Sequence, residues 1–109
     1  MPSHLPYTAR TKTGDVFEIS FPLHRETGSP VRVSQLLTAL LETLDREIGL
    51  LGETSNGDVL QALAMATAIR TAMIHAPGPV TARLAADLLA TAQSAMERAE
   101  RHSPQAGHA

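Results

Sequence analysis

Histidine, serine and arginine side chains are where this chain could do chemistry, and their spacing decides what kind. The histidines are His4, His24, His75, His102 and His108. A zinc site needs three or four converging ligands, commonly two on one helix face as His-x-x-x-His, and a di-iron bundle needs Glu-x-x-His. Neither spacing occurs. There is no cysteine, which removes thiolate ligands, a disulfide framework and a cysteine nucleophile together. The serines sit in no nucleophile elbow, and no glycine-rich phosphate motif is present. The expectation is a protein with no catalytic residues, no metal and no cofactor, and hence not an enzyme.

One charged residue stands out. In the segment that follows Ser55, Val59, Leu63, Ala66, Met73 and Ile74 fall within about 60° of one helical face, and Arg70 falls among them. An arginine on an apolar stripe either snorkels its guanidinium to water or needs an anionic partner. Glu47, at the edge of an earlier leucine arc, is the candidate within the chain. The functional alternative is that Arg70 anchors an acidic group of a ligand or partner protein, with Met73 as an adaptable apolar neighbour. Arg70, Glu47 and Met73 are therefore the candidate anchor residues.

Composition narrows the class of partner. Hydrophobic residues make up 43% of the 109, charged residues 18%, and the net charge is −2. That is the balance of a folded domain rather than a disordered one. The nine basic residues are scattered, so there is no cluster to bind phosphate backbones or an anionic membrane surface. No stretch approaches the roughly 20 apolar residues of a membrane span, and the N-terminus has no apolar leader region. A soluble cytoplasmic protein that binds neither nucleic acid nor membrane is expected. Arginine supplies eight of the nine basic residues, an association with a GC-rich bacterial genome.

The elements that must position these residues fall into two regions of one domain. In residues 1–33, Phe17, Ile19 and Phe21 alternate with Val16, Glu18 and Ser20, the period of a half-buried strand. Tyr7 to Lys12 is its hairpin partner through Thr13, Gly14 and Asp15. "HRETGSP", His24 to Pro30, reads as a loop. Residues 34–102 read as three helices. Ser34 is the expected N-cap of the first, whose Leu36, Leu37, Leu40, Leu41, Leu44, Ile48 and Leu51 fill an arc of about 140° and which Gly49 and Gly52 terminate. Ser55 with Asp58 opens the second, expected to reach Ala76. Pro77-Gly78-Pro79 breaks it, and the third runs from about Pro79 to His102. Equal helices joined by so short a break form an antiparallel helical hairpin. Residues 103–109 read as a disordered tail.

The fold class is thus α+β, mainly α: an N-terminal β-hairpin followed by a three-helix bundle. The second helix's apolar arc exceeds about 200°, more than one neighbour covers, which argues for a homodimer. The function expected is a small non-catalytic protein–protein interaction module, an accessory or regulatory subunit. The alternative is a small-molecule sensor holding an acidic ligand near Arg70.

Overall fold

Alternation in the N-terminal third produces a sheet with one apolar and one polar face. In the computed structural model, which describes residues 3–104, strand β1 spans His4–Arg10 and β2 spans Val16–Pro22. They pair antiparallel, with Leu5 opposite Phe21, Tyr7 opposite Ile19 and Ala9 opposite Phe17. Residues directly opposite share a face, so these six side chains line one surface, and Ile19 is buried there. The reverse surface carries Pro6, Thr8, Glu18 and Ser20, all exposed. Gly14 makes the turn at φ +93°, a backbone angle that favours glycine.

Three helices follow, as anticipated: α1 at Pro30–Leu51, α2 at Asn56–Ala72 and α3 at Gly78–Glu97. The mainly helical α+β class is the one observed. Ser55 caps α2, its Oγ accepting the Asp58 backbone N–H at 3.1 Å. Gly52, at φ +86°, ends α1. The Pro77-Gly78-Pro79 break turns the chain between α2 and α3, which pack as the helical hairpin.

Three helix boundaries differ from the sequence expectation, β1 lies earlier than the expected Tyr7 to Lys12, and a strand replaces the end of the third helix. α1 starts before Ser34: Ser29 is its N-cap, accepting the Arg32 N–H at 3.1 Å, and Pro30 opens the helix. A proline has no N–H to lose at that position, so Ser-Pro signals a helix start as readily as a loop. α2 ends at Ala72 rather than Ala76, because the chain tightens from Met73 onward to reach the prolines. α3 stops at Glu97, short of His102. Glu100–His102 is instead a third strand, β3, antiparallel to β2 with Glu18 opposite Glu100 and Val16 opposite His102. The edge of β2 offers backbone hydrogen bonds that outweigh a weak helical preference. Of the tail expected at 103–109, residues 105–109 lie outside the described residues.

Two of the helices, α1 and α3, lie on one face of the sheet without packing on each other. The Tyr7 and Thr38 hydroxyls hydrogen-bond at 2.8 Å, and Lys12 Nζ reaches Gly49, so α1 runs along β1 in the same direction. Lys12 thereby brings a cation to the C-terminal half of α1, whose last turn has no basic residue of its own. α3 lies on β2, with Ala95 buried and Leu88 and Ala92 beside Phe21. α2 packs only on α3, and α1 packs on neither of the other helices. The result is a slab of two layers measuring 56 × 35 × 21 Å.

Candidate functional site

What this arrangement leaves uncovered is the chain's principal feature. Ile19 and Ala95 are the only buried apolar side chains among the described residues. α1 and α2 contain no buried residue. Ile69 is 65% exposed, Leu40 57% and Leu51 76%. On α1 the leucine arc splits in two. Leu37, Leu44 and Ile48 are half-buried, on the side that carries Thr38 to the sheet. The rest of the arc, with Val33, Leu36, Leu40 and Leu51, is open. Glu47 falls among these open residues, within about 40° of each by helical geometry.

α2, α3 and Leu40 of α1 enclose a wide groove of about 960 Å³. Leu63, Ala66 and Ile74 line it from α2, and Ala82, Ala85 and Leu89 from α3. Its hydroxyl groups face inward to their own backbone. Thr67 donates to the Leu63 carbonyl at 2.8 Å, Thr71 to the Thr67 carbonyl at 2.7 Å, and Thr81 to the Gly78 carbonyl at 3.1 Å. A second hollow, between Phe21, His24, Asp87 and Leu88, measures only about 150 Å³.

Among the described residues, Arg70 is the one charged side chain on the groove wall. It sits in the last turn of α2, where the helix dipole favours a cation. Its Nη1 lies 3.2 Å from Met73 Sδ, so the structure brings together two of the three anchor residues expected from sequence. The third stays apart. Arg70 and Glu47 make no ion pair among the described residues, since α1 does not pack on α2. Arg70 is exposed within one chain, so its charge is solvated there rather than buried.

Sequence spacing missed a second cluster, formed by strand pairing. His102 Nε2 lies 3.1 Å from Glu18 Oε2 and 3.7 Å from Glu100 Oε2. Glu18 and Glu100 are opposed like charges across the β2–β3 ladder, an unfavourable pair, and the His102 ring lies within reach of both. All three groups are exposed on the polar face. Their 82-residue separation in sequence leaves no local signal to find them by, because Glu18 and Glu100 meet only through the strand register. Of the other histidines, His4 contacts Ser3 Oγ at 3.1 Å and His24 Nδ1 accepts the Glu26 N–H at 3.1 Å. His75 is exposed in the helical turn, and His108 lies outside the described residues.

No protein-family model matches this chain, and no curated protein or solved structure is significantly similar to it. No helix among the described residues is long and apolar enough to cross a membrane.

Proposed function

We propose that this chain is a non-catalytic protein–protein interaction module, a cytoplasmic accessory or regulatory subunit of a bacterial or phage system. Its working surface is the groove of α2 and α3 together with the open stripe of α1. The carrying observation is the groove's chemistry: large, apolar, and with its hydroxyls already satisfied by their own helices. Small-molecule pockets enclose most of the ligand and orient it with several convergent polar groups. This groove offers Arg70 alone. An extended apolar surface of this kind matches what a protein partner buries. The scattered basic residues give no support to a nucleic-acid role.

A second reading rests on Arg70 itself, a cation on an apolar wall with no carboxylate within ion-pair distance among the described residues. Such a group could hold the acid function of a small ligand. The two readings separate on one experiment. A photo-crosslinking amino acid placed at Leu89, an exposed residue of the groove wall, in the producing cell should yield adducts of protein mass. A small-molecule adduct, with none of protein mass, would transfer the assignment to the sensor reading.

A further inference from the structure

Resting on the interaction-module reading, we propose that the occupant of the groove is a second copy of this chain. The copies pack face to face about a two-fold axis, and Glu47 of each meets Arg70 of the other.

A folded chain of 11.6 kDa exposes about 5,800 Å² by the usual mass scaling. This one exposes 8589 Å², an excess of about 2,700 Å². Even fully extended chain for the residues outside 3–104 accounts for only about 1,100 Å² of that. About 1,600 Å² per copy remains, twice the roughly 800 Å² per partner of a standard interface and within the range of obligate homodimers.

Shape agrees with area. The radius of gyration is 15.8 Å, against about 13 Å for a compact chain of this length. The slab is 21 Å thick and 35 Å wide. Two slabs stacked on their apolar faces reach about the proportions of an ordinary domain, with the helices inside and each sheet's polar face outside. The helices are of comparable length, about 33, 26 and 30 Å for α1, α2 and α3, so each can lie along another over most of its span.

Charge sets the register. The open stripe of α1 contains one acid, Glu47, and the groove wall contains one base, Arg70. Within a chain they are kept apart because α1 and α2 do not pack together. A two-fold interface is self-complementary, so whatever Glu47 meets, its symmetry mate meets as well. Facing copies place two such pairs at the interface, and an arginine covered by apolar surface needs such a partner.

Light scattering on the full chain should return 23.2 kDa, twice 11.6 kDa, wherever circular dichroism shows helix. E47R and R70E chains, each alone, create two like-charge contacts and should weaken self-association at least about tenfold. Mixed in equal amounts, they should recover it as a 1:1 heterodimer, because every cross-pair is then opposite in sign. A pairing within one chain would not respond to mixing. The absence of native cysteine permits a check that does not alter charge in this way: E47C and R70C chains, mixed under mild oxidation, should link into a 23.2 kDa species. A helical 11.6 kDa monomer, or no recovery and no linked species in the mixtures, overturns the proposal. If the crosslinker at Leu89 then captures a different protein, the interaction-module reading stands without the second copy. If it gives no protein adduct, both fall.

Discussion

Arg101 donates from Nη2 to the Asp15 carboxylate at 2.7 Å across 86 residues of sequence. The same guanidinium lies over the Phe17 ring, 5.1 Å from its centroid, a cation–π arrangement. Together they pin β3, a strand of three residues, to the β1–β2 turn and the edge of β2.

This contact gives β3 a pH dependence of defined sign. The Arg101 hydrogen bond, followed by one from Ser103, holds the Asp15 carboxyl below its ordinary value of 3.8. A carboxylate whose pKa is lowered by folding stabilises the folded state above its unfolded pKa, near 3.9, and loses that contribution as pH falls through the folded value. Amide exchange at Arg101 and His102, after correction for intrinsic rates, should therefore be slow above about pH 4 and accelerate below it. Asp15→Asn should give the acid behaviour at neutral pH. Equal protection in the variant at pH 7 would show that backbone pairing alone holds β3.

The hydroxyl pair of Tyr7 and Thr38 is the hydrogen bond that fixes α1 to the sheet. Tyr7→Phe keeps the ring and removes the bond, leaving Thr38 without that partner. Urea unfolding at fixed protein concentration should show a loss of about 0.5–1.5 kcal/mol. No change would mean that the leucines and Ile48 hold α1 unaided.

Gly14 carries a positive φ, and a Cβ there would stand 3.2 Å from Pro104 Cγ. Gly14→Ala should cost more than about 1 kcal/mol in thermal or urea unfolding, from backbone strain at the turn. Gly28 has open space and no positive φ, so Gly28→Ala is the control and should be near neutral.

The start of α1 can be located by two alanine substitutions. Ser29→Ala removes the cap on the Arg32 N–H and should cost about 1 kcal/mol. Ser34→Ala lies inside the helix and should cost less, since alanine is the better helix former there. The reverse order would return the N-cap to Ser34 and make Pro30–Val33 loop.

Much of this fold is decided by residues close in sequence, and those parts are legible without coordinates. The alternation of Phe17, Ile19 and Phe21, the Ser55 cap, the helical spacing of the leucines and the Pro77-Gly78-Pro79 break all act within four residues. Their physics is steric and local, so the β-hairpin, the three helices and the helical hairpin follow from it. Arg70 and Met73, one helical turn apart, are adjacent for the same reason. Tertiary structure decided what depends on pairing across the chain. β3 exists because the β2 edge and Asp15 were available to residues near the far end of the sequence, and the Glu18–Glu100–His102 cluster exists because of that strand's register. Glu47 and Arg70 stay apart within a chain because α1 packs on β1 while α2 packs on α3. Periodicity shows that a helix has an apolar face. It carries no information on whether that face meets the sheet, another helix or open solvent, since burial is non-directional and depends only on what packing brings near.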